Sequence, residues 1–132
     1  MDDVLKQFVR QRAGANCEYC GLPEAVSGIL PYHVEHIRVR QHRGTDDLEN
    51  LCYACSRCNH LKGPNLSSYD PMTDQLVTLF NPRCDRWDEH FRHEGPLIIG
   101  ITAEGRATVE LLQMNEPRRL RLRLALLDDD ES

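Results

Sequence analysis

The sequence predicts a small α+β domain held together by a four-cysteine zinc site, followed by a C-terminal α/β extension. Three observations support this prediction. The chain has 132 residues, which is enough for one modest hydrophobic core. Two Cys-x-x-Cys pairs, Cys17/Cys20 and Cys55/Cys58, are separated along the chain so that the second begins 35 residues after the first ends. After Tyr69 the chain contains short apolar runs typical of strands and helices, without a recognisable chemical motif.

The composition predicts a cytoplasmic protein. No apolar run approaches the roughly eighteen residues that a membrane span needs, and the start "MDDVLKQFVRQR" lacks the apolar stretch of a secretory signal. We therefore expect no membrane partner. In a reducing cytoplasm, six cysteines are not expected to form disulfides, so clustered cysteines indicate metal binding and isolated ones indicate buried thiols.

The two cysteine pairs are typical of a structural zinc site. Each Cys-x-x-Cys turn points both sulfurs to one side of a tight loop, and two such loops complete a closed tetrahedral site. A redox pair would need a thioredoxin-like βαβ pattern, which the sequence around Cys17 lacks. One ambiguity stays at this point, because Cys52 and Cys55 also form a Cys-x-x-Cys pair.

The first half of the chain predicts a helix, a hairpin and a second helix. Apolar residues from Val4 to Arg12 share a helical face, and Gly14 ends this helix. We expect the first strand within "SGILPYHVEHIRV", the second at "NLCYA", and the second helix over "RCNHLKG", where Gly63-Pro64 stops it.

The second half predicts strands followed by helices. "QLVTLF" and "PLIIGIT" are predicted strands, and Thr102 is expected to cap a helix. "RRLRLRLALL" alternates as a strand does, but its leucines also align on a helix, and the preceding Asn-Glu-Pro favours a helix. The predicted domains are residues 1–69, an extension over 70–127 packed on the first domain, and a disordered acidic tail over 128–132.

Between the cysteine pairs lies "PYHVEHIRVRQHRGTDDLENLCYACSRCNHLKG", which combines histidines, a carboxylate and asparagines. In this segment the sequence resembles the HNH endonucleases of the ββα-metal fold, in their four-cysteine zinc-bound form. The resemblance covers about residues 8 to 66. It is carried by the two cysteine pairs and by Glu35-His36-Ile37, Gly44, Asn50-Leu51, Asn59 and Lys62.

The resemblance implies a role for each residue of the motif. His36 would be the general base, and Asn50 would orient it or fix the loop. Glu35 and Asn59 would hold one catalytic divalent cation. Because the family places its last ligand directly after the second cysteine pair, the resemblance selects Cys55/Cys58 for the zinc. Cys52 and Cys84 are then expected to be buried thiols.

This chain departs from the family pattern at two positions. Glu35 stands where Asp or His is most frequent, and Asn59 replaces the final His, which gives a His-Asn-Asn variant. Both residues offer oxygen donors, and these suit Mg²⁺ or Mn²⁺ better than a catalytic zinc or nickel ion. His60 is an alternative ligand, and His33 shares a strand face with Glu35. Both histidines are therefore candidates for contacts behind the metal ligands.

Strand alternation raises a question about the two central residues. Neighbouring residues of a strand face opposite sides, so Glu35 and His36 would point apart. We expect a bulge or a strand end at this point that lets both side chains reach one phosphate.

Charge bears on nucleic-acid binding. The chain carries 16 basic and 21 acidic residues, for a net charge of −5, and the run "DDDE" near the end contributes −4 of it. Four arginines, Arg118, Arg119, Arg121 and Arg123, form one basic cluster near the end of the chain. A second set flanks the proposed site and is predicted to bind nucleic acid: Arg38, Arg40, Arg43, Arg57 and Lys62.

The function expected from the resemblance is metal-dependent hydrolysis of DNA phosphodiester bonds, by nicking or double-strand cutting, with 5′-phosphate and 3′-OH products. RNA is the alternative substrate, and the oligomeric state, monomer or dimer, stays open. The alternative function is a zinc ribbon that binds nucleic acid or protein without cutting it.

Overall fold

The computed structural model describes residues 1–28 and 30–131. Within these residues no helix is both long and apolar enough to cross a membrane. The chain divides into two compact units: Met1–Leu66 together with Asn81–Cys84, and Ser67–Phe80 together with Asp85–Ser132. The first unit thus includes a short segment that the sequence predicts as part of the extension.

The first unit contains a helix, an antiparallel hairpin and a second helix. In the hairpin, His33 pairs with Ala54 and His36 with Leu51, with no residue left over between them. The elements are α1 (Asp3–Arg12), β1 (His33–His36), β2 (Leu51–Ala54) and α2 (Ser56–Lys62), with short 3₁₀ turns at Glu24–Val26, Arg40–His42 and Leu48–Asn50. The strands and helices lie where the sequence predicts them.

Helix α1 begins at a side-chain cap and buries one narrow face. The Asp2 carboxylate accepts a hydrogen bond from the backbone N–H of Leu5 at 2.8 Å, which satisfies one free donor of the first turn. Val9 is fully buried and packs with Leu51 and Tyr53 of β2. This contact holds α1 against the hairpin.

The apolar face predicted for α1 is wider than the face that packs. Val4 is 83% exposed and Phe8 is 47% exposed, whereas Leu5 and Val9 contact the core. The reason is geometric: each residue is rotated by about 100° from the next, so Val4 and Phe8 form a separate stripe beside Leu5 and Val9.

Helix α2 starts directly from the end of the hairpin. All four residues of β2 are buried, and Cys55 follows as the cap of α2, its sulfur 3.4 Å from the backbone nitrogen of Cys58. Gly63 ends the helix with φ of 49°, a conformation that glycine adopts without strain. The strand, the cysteine pair and the helix are therefore continuous.

The second unit contains two hairpins and two longer helices. Its elements are β3 (Ser67–Tyr69), β4 (Leu76–Thr78), α3 (Trp87–His90), β5 (Phe91–Glu94), β6 (Leu97–Gly100), α4 (Ala103–Leu111) and α5 (Pro117–Glu131). Strand β3 pairs antiparallel with β4, and β5 with β6. The predicted strands are β4 and β6. Their partners were not predicted, because "SSY" and "FRHE" lack an apolar alternation.

Helix α5 resolves the ambiguity of the last segment in favour of a helix. The helix runs to Glu131, into the acidic run for which the sequence predicts disorder, and Ser132 lies outside the described residues. Arg119 and Arg123 of α5 are buried and donate to backbone carbonyls of the turn that follows α4, those of Leu112, Gln113 and Met114.

These contacts correct the prediction of a four-arginine basic surface. Two of the four arginines are buried and bond to backbone carbonyls of the turn that follows α4. Arg118 and Arg121 are exposed. The cluster therefore presents at most two of its charges to a phosphate.

Thr108 provides a test of how the second unit is held together. Its fully buried hydroxyl donates to the carbonyl of Glu104 at 2.7 Å and accepts from the backbone N–H of Phe80 at 2.9 Å. We expect Thr108→Val to lower the free energy of unfolding by about 1–3 kcal/mol, because it leaves the Phe80 N–H buried without an acceptor. Thr108→Ser keeps the hydroxyl and is expected to lose less. Urea denaturation measures both, and equal stabilities of the two variants would contradict this role.

Candidate metal centre and active site

Four buried cysteines of the first unit meet at one point. The sulfurs of Cys17, Cys20, Cys55 and Cys58 all lie within 4.8 Å of one another. The Cys20 and Cys55 sulfurs are 3.8 Å apart. Four thiolates bound tetrahedrally at about 2.3 Å from a zinc ion are separated by about 3.8 Å, so the geometry fits zinc. Among the residues that the structure describes, this is the one group of three or more His, Cys, Asp or Glu side chains placed to share a metal ion.

The surroundings of the cluster also suit a bound cation. Backbone N–H groups of Cys20 and Cys58 lie 3.5 and 3.4 Å from the sulfurs of Cys17 and Cys55. Burial raises the pKa of the Cys17 thiol. Ionised sulfurs at this depth therefore need a compensating positive charge, which a zinc ion supplies.

The other two cysteines lie outside the cluster. Cys52 is buried, with its sulfur 3.4 Å from Oε1 of Glu35 and 3.6 Å from the hydroxyl of Tyr19. The structure thus pairs Cys55 with Cys58, as the resemblance implies. Cys84 is exposed, so the prediction that it is a buried thiol was wrong.

A pocket of about 470 Å³ opens beside the hairpin and α2. Three of the residues that line it are the predicted base and the two predicted ligands of the divalent cation, His36, Glu35 and Asn59. The remaining lining residues are His33, Val34, Val39, His60 and Gly63. The hairpin contributes Glu35 and His36, and the first turn of α2, directly after Cys58, contributes Asn59.

Glu35 lies on the buried face of β1. Burial raises the pKa of its carboxyl group, and the positive charge of Lys62 opposes this shift. Lys62 itself is only 2% exposed and donates to the backbone carbonyl of Ile37 at 2.7 Å. The structure therefore argues against the predicted phosphate contact by Lys62, because its ammonium group faces the interior.

His36 is the last residue of β1 and lies on the opposite face. The ladder to β2 is regular through this residue, so the structure contains the expected strand end and not a bulge. The Nε2 atom of His36 lies 2.6 Å from Oδ1 of Asp46. Nη2 of Arg40 lies 3.2 and 3.0 Å from the two oxygens of the same carboxylate.

Asn50 fixes the loop between the strands and makes no bond to His36. Its amide oxygen accepts from the backbone N–H of Arg38 at 2.9 Å. Its amide nitrogen donates to the carbonyls of Arg38 and Thr45 at 2.9 and 2.7 Å. Of the two roles that the resemblance implies for Asn50, the structure shows the second.

Position 44 of the same loop has no room for a side chain, so glycine is required there. A Cβ atom at this position would lie 1.6 Å from the carbonyl oxygen of Arg38. The backbone of the loop therefore packs on itself at Gly44. Together with Asn50, this contact gives residues 38 to 50 a defined path over the end of the hairpin.

The predicted nucleic-acid contacts differ in exposure. Arg38, Arg40 and Arg43 are exposed on the loop, and Arg57 is half-buried on α2. Nε of Arg38 donates to the carbonyl of His42 at 2.5 Å. Three exposed arginines thus lie on the loop that follows His36.

The two further histidines differ as well. Nε2 of His33 lies 3.5 Å from the hydroxyl of Ser56, and His60 is exposed at the pocket rim.

Comparison with known families agrees with this site. Residues 17–65 match the family model described as HNH endonuclease. We therefore call residues 17–65 the HNH domain, after the family model that they match. No curated protein and no solved structure matches the chain at a significant level. The HNH domain spans both cysteine pairs and every residue that lines the pocket, and its family indicates nuclease-type activity on a nucleic-acid substrate.

Two features of the HNH domain were not predicted from the sequence. Asp46 contacts His36, and Cys52 contacts Glu35. The sequence distinguishes neither residue: Asp46 is followed by a second aspartate, and Cys52 is one of six cysteines. The sequence gives one weak indication for Cys52: alternation along β2 places its side chain on the face opposite that of Tyr53, and so apart from the side chains that pack on α1.

The zinc site yields a prediction about folding. We expect purified protein to contain one zinc ion per chain, and Cys55→Ser to lose it together with the fold of the HNH domain, because four buried ligands close the site. Metal analysis and circular dichroism measure both effects. Cys84→Ser is the matched control, since Cys84 is exposed and outside the cluster. Full zinc content in Cys55→Ser would contradict the assignment.

The loop yields a second prediction. Gly44→Ala should destabilise the HNH domain by about 2–3 kcal/mol, because the new methyl group overlaps the Arg38 carbonyl. Gly28→Ala is the control: Gly28 has φ of 78°, but a methyl group added there would meet no atom within 4 Å, so only the cost of about 1 kcal/mol for a left-handed residue applies. Urea denaturation in the presence of zinc compares them, and equal losses would show that steric overlap at Gly44 is unimportant.

Proposed function

We propose that the protein is a metal-dependent endonuclease that hydrolyses phosphodiester bonds of DNA, leaving 5′-phosphate and 3′-OH ends. One observation carries the proposal: a single pocket is lined by an imidazole, His36, and by two oxygen donors, Glu35 and Asn59. Phosphodiester hydrolysis needs a base for water and a positive charge where negative charge develops: the imidazole can be the base, and the two oxygen donors can hold a cation that supplies the charge.

The donor set fits a hard divalent cation. A carboxylate and an amide oxygen are ligands that Mg²⁺ and Mn²⁺ prefer, and the remaining positions of such an ion are taken by water and phosphate oxygens. Glu35 and Asn59 would hold the cation. When bound, it would stabilise the negative charge that develops on the scissile phosphate and the departing 3′ oxygen.

The residues of the chain perform the remaining tasks. His36 takes a proton from the attacking water, which requires that one ring nitrogen be unprotonated. Arg38 and Arg43, exposed on the adjoining loop, are placed to contact backbone phosphates and so to fix the register of the strand. The acidic net charge of −5 predicts weak non-specific binding.

The decisive experiment removes the imidazole. We expect His36→Ala to lower the rate of Mg²⁺- or Mn²⁺-dependent plasmid nicking by about 10²-fold or more, the usual contribution of a general base. His42→Ala is the matched control, because His42 is an exposed histidine on the loop that follows His36. Nicking assays with end mapping measure the rate and the products, and zinc analysis shows that the variants are folded.

Two results would contradict the proposal. Nicking that persists unchanged in His36→Ala would place the activity elsewhere. Failure of the zinc-loaded protein to cut duplex, single-stranded or branched DNA, or RNA, with any divalent cation would favour the non-catalytic zinc-ribbon adaptor instead.

A further inference from the structure

The proposed function does not by itself explain the contact between His36 and Asp46. We propose that Asp46 is a positioning residue for His36: its carboxylate binds Nε2–H of the imidazole and leaves Nδ1 to take the proton from water. This inference rests on the proposed function, in which His36 is the base. Asp46 would set the orientation of the ring, and Nδ1 would be the nitrogen that reacts.

The distance supports a directed hydrogen bond. Nε2 of His36 and Oδ1 of Asp46 are 2.6 Å apart, which is short for a nitrogen donor, and short hydrogen bonds of this kind are those made with a charged partner. In a neutral imidazole one nitrogen carries the proton and the other has a free lone pair. A carboxylate on Nε2 therefore selects the tautomer with its lone pair on Nδ1.

The carboxylate is itself held in place. Nη2 of Arg40 contacts both oxygens of Asp46, at 3.2 and 3.0 Å. The hydrogen bond from His36 and, after it, that from Arg40 lower the pKa of Asp46. Asp46 thus stays ionised and remains an acceptor.

The backbone contacts of the loop between β1 and β2 place Asp46 opposite His36. Asp46 follows His36 by ten residues, and the intervening chain turns back on itself. Asn50 joins Arg38 to Thr45, the residue before Asp46, and Gly44 allows the close backbone approach. An ordinary surface ion pair contributes little and needs no such support. Here the hydrogen bonds of Asn50 and the close backbone approach at Gly44 both support the position of the Asp46 carboxylate.

The assignment gives a balanced reaction step. One O–H bond of water breaks, its proton binds Nδ1 of His36, and the oxygen forms a bond to phosphorus. The bond from phosphorus to the 3′ oxygen breaks, and the leaving oxygen keeps the electron pair and takes a proton from solvent. Asp46 accepts the Nε2–H bond throughout and stabilises the imidazolium that forms, without itself becoming protonated.

A pair of variants separates this role from a general effect of charge. Asp46→Asn removes the carboxylate that contacts His36. Asp47→Asn removes the neighbouring carboxylate, which instead accepts from the hydroxyl of Thr45 at 2.8 Å. Both variants change the net charge by the same amount, at adjacent positions of the same exposed loop. We expect Asp46→Asn to lower kcat for nicking by about 10- to 100-fold with little change in KM, and Asp47→Asn to be near wild type.

A spectroscopic measurement provides a readout that does not depend on activity. Nitrogen-15 NMR of the histidine side chains in the zinc-loaded protein distinguishes the two tautomers of a neutral ring, and His36→Gln assigns the signals. We expect His36 to be protonated on Nε2 in the wild type and in Asp47→Asn. In Asp46→Asn we expect this preference to be lost.

The outcomes are distinguishable from a failure of the proposed function. If His36→Ala nicks DNA normally, the nuclease assignment to this pocket falls whatever Asp46 does. If His36→Ala is inactive but Asp46→Asn matches Asp47→Asn, only the role of Asp46 is refuted. Should Asp46→Asn fail to fold, the wild-type spectrum still decides, since protonation of His36 on Nδ1 would overturn the inference.

Discussion

The architecture of the HNH domain depends on one constraint, the convergence of four buried sulfurs in a geometry that fits a single zinc ion. The two cysteine pairs are far apart in sequence, and their sulfurs meet within 4.8 Å. The second pair lies between β2 and α2, so the clamp fixes the strand and the helix at their junction. In small zinc domains, metal binding supplies folding free energy of about 10–16 kcal/mol, far more than a core of this size provides alone.

The pocket follows from that clamp. Asn59 adjoins the last zinc ligand, and Glu35 lies in the strand that pairs with β2 opposite Cys52. Asn59 is therefore one residue from the cysteine cluster, and Glu35 lies on the strand that pairs with β2, the strand that leads into Cys55. A divalent cation needs its ligands held at short and nearly fixed distances, and in the proposed nuclease the four-cysteine site would provide this rigidity for the second site.

Much of this arrangement could be predicted from the sequence. The cysteine spacing predicts the zinc site, and the resemblance places His36, Glu35 and Asn59 at one pocket. The phosphate contact predicted for Lys62 follows from its place beside the motif, where a lysine at the end of a helix is usually exposed. Only the packing of α2 on the hairpin shows that its ammonium group donates a hydrogen bond to the Ile37 carbonyl. Asp46 could not be distinguished from Asp47, because which carboxylate reaches His36 depends on the path of a loop that Asn50 and Gly44 determine.

The opposite faces of Glu35 and His36 need no bulge once their tasks are considered. A carboxylate that holds a cation benefits from burial, where competing water is excluded, and Glu35 lies beneath the strand with Cys52 and Lys62 nearby. In the proposed mechanism, the base must reach a water molecule beside a phosphate at the surface, and His36 lies at the strand end, where its side chain is still 21% exposed. Alternation along β1 therefore assigns a buried role and an accessible role to two adjacent residues. Because β1 ends at His36, the following loop can turn back and bring Oδ1 of Asp46 to 2.6 Å from Nε2 of His36.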